Sequence, residues 1–282
     1  IFAQHRTCIY DYDVAIVVGD DKKLHLELDL IAGNDFNFEE TVTLGYDIYT
    51  PENKLVDYAV RELSVLGRSR DTLKVRIDLG AELKYLWSAA KPQQYRLTLY
   101  TKRNGKPVEY IPLYVGAGKT TFVDGKIYRN GTPITVKSAP YNAAKTPAEA
   151  KKEILALKSK GINTLKPDSP QPLWFYGLCD KLGVYVIERA AINPVVNSDN
   201  RARGGTPSNN PQLLAEYLDR IKGMYYRTRN YSCIIAYTLG GEKAGNGYCM
   251  YKAYQWLKSV EKQRPVICLS ADGEWNTDPL SL

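Results

Sequence analysis

Ile234-Ile235-Ala236-Tyr237-Thr238-Leu239-Gly240-Gly241-Glu242 is a strand-sized apolar run closed by two glycines and a carboxylate. With Cys233 at its start it reads as one buried strand, and four more runs of the same kind surround it: Ile134 to Val136, Ile162 to Leu165, Val184 to Ile187 and Val266 to Leu269. Helical patterns separate them. Strands that alternate with helices in this way form a parallel sheet with helices packed on its faces.

The helix signals are local and specific. Thr146-Pro147-Ala148-Glu149 is a capping box with proline at the first helical position, and Gly161 stops that helix near Lys158 and Lys160, whose charges suit the C-terminal dipole. Asn210-Pro211 opens another helix, in which Leu214, Leu218, Ile221 and Tyr225 share one face. Trp174, Phe175 and Trp256 fall inside helical patterns and read as core.

A closed barrel of this type needs eight strands and roughly 250 residues. Residues 134–282 supply five strands in 149 residues, so the expectation is an incomplete (β/α) TIM-type barrel of about five strands. Its apolar interior must be covered by a partner, by another copy in a homo-oligomer, or by further segments of a longer chain.

Before residue 118 the period changes to two. Tyr10 to Val18, Leu24 to Leu30, Thr41 to Tyr49, Leu73 to Leu79, Tyr95 to Tyr100 and Val108 to Val115 alternate apolar with polar residues between Gly, Asn and Asp turns. Six or seven such strands predict a β-sandwich of immunoglobulin-like architecture. Asp124-Gly125 and Asn130-Gly131 then mark hairpin turns in a connector. The expected domains are a sandwich over 1–118 and a partial barrel over 119–282.

Composition narrows the function. The formal charge is +7, but cations and anions are interspersed, which favours a solvated mixed surface over a nucleic-acid face. No apolar run reaches the roughly 18 residues of a membrane span. Two histidines, His5 and His25, leave everything after residue 25 without histidine chemistry or histidine metal ligands. Five scattered cysteines, with no C-x-x-C pair, read as buried free thiols, and neither a metal nor a cofactor is expected. The chain opens Ile1-Phe2-Ala3-Gln4 with no signal-peptide pattern, so localisation stays unknown at this level.

Three stretches carry a family resemblance. Leu86-Trp87-Ser88-Ala89-Ala90-Lys91-Pro92-Gln93-Gln94-Tyr95-Arg96-Leu97 resembles the end of the sandwich domain of glycoside hydrolase family 2, of the β-galactosidase-like kind. Asp124-Gly125-Lys126-Ile127-Tyr128-Arg129-Asn130-Gly131-Thr132-Pro133-Ile134 is similar to that family's entry hairpin into the barrel. Leu178 to Glu188 and Ile234 to Glu242 resemble its barrel strands 3 and 4. Order and spacing agree along nearly the whole chain. The resemblance implies a jelly-roll domain before the sandwich, a carbohydrate ligand, and a periplasmic or extracellular setting.

It also implies a chemistry. Retaining glycosidases need two carboxylates about 5 to 5.5 Å apart, one acid/base and one nucleophile. By the resemblance Glu242 holds the acid/base position, and the nucleophile belongs to a strand 7 beyond residue 282. Glu274, after the fifth strand, is a weaker alternative carboxylate. Gly241 stands where the family has an asparagine that bonds the sugar 2-hydroxyl, and Glu188-Arg189-Ala190-Ala191 stands where it has Asp-Glu-Ala-Asn.

Lys137-Ser138-Ala139-Pro140-Tyr141-Asn142 and Lys166-Pro167-Asp168-Ser169-Pro170 likewise replace the family's polar loops after strands 1 and 2. The substrate-binding candidates are therefore Gly241, Glu188, Asp168, Trp275 as a sugar platform, and Arg201 in the long polar loop from Ala191 to Asn210, which reads as a mobile surface loop. A kept core and an altered site fit either of two readings. One is a hydrolase part that is inactive alone, and the other is a non-catalytic glycan-binding or subunit-interaction scaffold.

Overall fold

Alternation along the first half of the chain can bury only one face of each strand, so those strands must pair and pack face to face. The computed structural model describes residues 5–81, 83–142, 146–193 and 195–280. It divides the chain into two compact units, one of residues 1–87 and 93–118 and the other of residues 88–92 and 119–282.

The first unit contains β1 (Thr7–Val18), β2 (Leu24–Asn34), β3 (Glu40–Tyr49), β4 (Leu55–Val65), β5 (Ser69–Gly80), β6 (Tyr95–Arg103) and β7 (Lys106–Val115). They form two antiparallel sheets, β1-β2-β5 and β4-β3-β6-β7. Leu24, Leu26, Leu28 and Leu30 of β2 share a core with Leu44, Ile48, Leu97 and Leu99 of the other sheet. β4 is absent from the six strands named above. It pairs with β3 alone, and only Val65 of its eleven residues is fully buried, so an edge strand lacked the apolar face that reveals the others.

In the second unit β8 (Thr120–Val123), β9 (Lys126–Arg129) and β10 (Thr132–Pro133) make a small antiparallel sheet. Its tight turns fall at Asp124-Gly125 and Asn130-Gly131, all four at positive φ. A parallel sheet follows, in the order β11 (Ser138–Tyr141), β12 (Thr164–Pro167), β13 (Tyr185–Arg189), β14 (Ile234–Thr238) and β15 (Val266–Ile267). Between its strands lie α1 (Pro147–Ser159), α2 (Leu173–Leu182), α3 (Leu214–Thr228) and α4 (Tyr248–Val260). Among the described residues no helix is long and apolar enough to cross a membrane.

Two strands lie further along the chain than the apolar runs suggested. The first was expected at Ile134 to Val136, yet Ile134 still bonds back to Ile127 in the hairpin sheet, and Asn163 ties down Thr135 and Lys137. The parallel strand therefore starts at Ser138, and its Pro140 is tolerated because β11 is an edge. The second runs past the apolar stretch to Lys166 and Pro167 and leaves Asp168 as the first residue beyond it.

The helix ends behave as their sequences dictate. Thr146 caps α1 by accepting from the Glu149 amide at 3.2 Å, and Glu149 answers the Thr146 hydroxyl at 2.9 Å. α2 ends on Gly183 at φ +65°. Trp174 and Trp256, expected in the core, are only half-buried, whereas Phe175 is buried as expected and forms the core face of α2 with Tyr176 and Cys179. Trp256 lies edge-on to Tyr225 at 5.9 Å. All five cysteines are buried and unpaired.

The two positive-φ glycines that close α1 and α2 differ in their surroundings. A Cβ on Gly183 would lie 2.3 Å from the Ala89 carbonyl oxygen, while one on Gly161, at φ +82°, would meet nothing within 4 Å among the described residues. Gly161→Ala is expected to cost about 1 kcal/mol of left-handed strain alone. Gly183→Ala adds a backbone overlap and is expected to cost roughly 3 kcal/mol. Urea unfolding of the two variants checks the ordering, which similar losses would contradict.

Candidate functional site

Parallel strands with helices between them place their C-terminal ends and following loops on one face, where barrel sites form. That face carries the ends of β12, β13 and β14, and every residue of β14 is buried. Only side chains at the strand ends can reach a ligand.

The register sets Glu188 beside Tyr237 and Arg189 beside Thr238. Successive strand side chains point to opposite faces, so Glu188 and Arg189 part company. Glu188 turns to the helix side, where it is 0% exposed, and its Oε1 accepts from the Tyr176 hydroxyl of α2 at 2.7 Å. Its Oε2 is buried with no hydrogen-bond partner among the described residues. Burial pushes the Glu188 carboxyl up to about 7, against the Tyr176 bond and the nearby Arg227 and Arg189, which favour the anion.

Asp180 of α2 is also driven to about 7 by burial. It accepts from the Cys233 amide at 2.6 Å and the Ser232 amide at 3.3 Å, which fixes the start of β14 against α2.

Arg189 faces the other way. Its Nη1 stands 3.7 Å from Asp168 Oδ1, with the two side chains 22% and 56% exposed. A Cβ on Gly241 would lie 3.5 Å from the same Nη1. The strand ends thus bring Asp168, Arg189 and Gly241 together, and Glu242 follows as an exposed residue with no hydrogen bond or ion pair to another described residue. Glu188, a substrate-binding candidate from sequence, is adjacent in the chain but closed off beneath the sheet.

The remaining candidates form a second group. Arg201 makes an ion pair with Glu274, and Tyr251 of α4 bonds the same carboxylate. Glu274 is therefore held by a cation and a phenol. Trp275 beside it is 55% exposed and rests on Tyr251 at 5.3 Å, ring planes 32° apart, with Tyr254 edge-on at 5.8 Å. Tyr251 and Tyr254 were not found from sequence, although their spacing of three on one helix was the available signal.

The loop after β13 is not the mobile surface loop its polar sequence suggests, because its second half is packed. Thr206 and Ser208 are fully buried, Ser208 bonds Tyr217 at 2.9 Å and also the Ala244 carbonyl, and Asn209 holds the carbonyls of Arg201 and Ala202 at 2.9 and 3.1 Å. The loops after β14 and β15 are joined by a buried amide pair, Asn246 with Asn276, at 3.1 and 2.8 Å.

Glu188 gives a signed prediction. Its folded pKa of about 7 lies above its ordinary 4.5, so it favours folding most below pH 4.5, and that contribution is lost as pH rises toward 7. Glu188→Gln is expected to flatten the fall in stability across this window, by up to roughly 3 kcal/mol. Denaturation midpoints at pH 4.5, 6 and 7.5 decide it, and parallel pH profiles for variant and parent would refute it.

Comparison with known proteins gives a consistent result. Residues 7–117 match the family model described as glycosyl hydrolases family 2, and residues 146–281 match that of the glycosyl hydrolases family 2 TIM barrel domain. The chain is 29% identical over 197 residues to a β-galactosidase of Vibrio cholerae, covering 64% of this chain and 18% of that one. With a β-galactosidase of Pectobacterium atrosepticum it shares 27% over 277 residues, 93% of this chain and 24% of the other.

Among solved structures, a glycosyl hydrolase family 2 member from Bacteroides cellulosilyticus superposes with a TM-score of 0.75 at 18% identity, covering 93% of this chain and 35% of that chain. A β-glucuronidase of Parabacteroides merdae gives 0.74 at 17%, with 93% and 33% covered. These similarities are of fold.

Proposed function

This chain belongs to glycosyl hydrolase family 2, and from that premise we propose that it is the glycan-binding, proton-donor part of a retaining β-glycosidase. A β-glycoside is held across the C-terminal ends of β12, β13 and β14, with Glu242 as the acid that protonates the leaving oxygen and the base that later activates water. The observation that carries this reading is the position of Glu242. It stands exposed just past the end of a wholly buried strand, on the face where barrel enzymes collect their reacting groups. The exposed face of Trp275, backed by two tyrosines, supports a sugar ring packing against it.

The chemistry asks for a second carboxylate as nucleophile on the anomeric carbon. Glu274 is engaged by Arg201 and Tyr251, which suits a loop clamp better than an attacking group. The 282-residue chain is accordingly expected to bind a β-glycoside and not to hydrolyse it. A purely glycan-binding role without any hydrolysis is the second reading, favoured by Gly241 in place of a hydrogen-bonding side chain.

Calorimetric titration with methyl β-galactoside, beside hydrolysis assays on aryl β-galactoside, β-glucoside, β-glucuronide and β-mannoside, tests both. Binding without turnover is expected, with Trp275→Ala weakening binding by about tenfold. Turnover that disappears in Glu242→Gln would show that the chain completes its own site. Turnover that survives in Glu242→Gln would remove Glu242 from the proton-donor role.

A further inference from the structure

Gly241 and Arg189 lie close together at the strand ends. Glycine at 241 leaves a gap at the end of β14. Among the described residues, the only heavy atoms within 4 Å of a Cβ built there, apart from chain neighbours, are Nη1 of Arg189 at 3.5 Å and Cζ at 4.0 Å. The guanidinium thus borders the space that a side chain at 241 would enter.

This guanidinium is poorly satisfied. Arg has five N–H donors in a planar fork and stays charged at any working pH. Nε of Arg189 is buried with no hydrogen-bond partner among the described residues, and Asp168 at 3.7 Å is beyond hydrogen-bonding distance. Glu188 lies on the opposite face of β13, spends one oxygen on Tyr176, and at neutral pH is only partly ionised. A half-buried cation with open donors attracts an oxyanion, and paired oxygens fit the fork best.

We propose that Arg189 meets the ligand at this strand end and selects glycans bearing an anionic group, a carboxylate or a sulfate ester, over neutral ones. The proposal rests on the glycan-binding reading above. Arg189 then supplies, as a charged donor, the ligand contact that glycine at 241 cannot make. Asp168 is the carboxylate that the anionic group displaces from the guanidinium.

Calorimetry with the 282-residue chain and three probes tests this: methyl β-galactoside, methyl β-glucuronide and methyl β-galactoside 6-sulfate. At least one anionic probe is expected to bind about tenfold tighter than the neutral one. Arg189→Gln should abolish that preference, and Arg189→Lys, a point charge without the fork, should keep only part of it. Which anionic probe binds tighter tells a uronic acid from a sulfated sugar.

If Arg189→Gln fails to fold, the surface change Asp168→Asn replaces it. Removing the competing carboxylate should tighten anionic binding severalfold, and unchanged or weaker binding would overturn the proposal. Equal binding of anionic and neutral probes, or a preference that survives Arg189→Gln, would also overturn it and leave the glycan-binding reading intact. No binding of any probe would remove both.

Discussion

Burial of β13 and β14 on both faces is the constraint from which the rest of the second unit follows. A polar group within these strands is costly unless it is hydrogen-bonded, and only side chains at the strand ends can reach a ligand. The protein meets this with helix side chains: Asp180 takes the amides that open β14, and Tyr176 takes the carboxylate near the end of β13. α2 is thus both a packing surface and a source of partners. Its termination on Gly183, close against the Ala89 backbone, fixes where β13 begins.

The same constraint concentrates chemistry at the strand ends. Strand alternation separates two neighbouring charged residues, one turned to the helices and one to the open face. Glu188 becomes an internal acid held near neutrality by burial, and Arg189 becomes the cation beside Gly241 and Asp168. The loops beyond are held by short-range polar contacts. Asn246 with Asn276 joins two of them, and Ser208 and Asn209 pin the long loop that carries Arg201. A clamp of Arg201, Glu274 and Tyr251 then sets Trp275 on its aromatic support.

What the sequence alone determined is whatever a local rule can express. Period-two alternation marked six sandwich strands, strand-sized apolar runs marked four of the five parallel strands, and the Thr146 to Glu149 cap was legible because capping involves residues three apart. The family was legible as well, since its motifs are runs of core positions whose spacing survives divergence. Local rules stopped at β4, whose edge position leaves its inner face only partly buried, and at β11, whose start depends on Asn163 binding Thr135 and Lys137 from about 27 residues away.

The site needed the tertiary structure. Sequence named Glu188, Asp168, Arg201, Gly241, Glu242, Glu274 and Trp275, but it ranked them singly and could not say which would meet. Only the parallel register brings residue 168 to residue 189 and residue 189 to residue 241, and only the helix layer decides that Glu188 is sealed away. The reason is physical: charge and hydrogen-bonding capacity are properties of residues, whereas desolvation, pairing and access are properties of the space between elements that are distant in the chain.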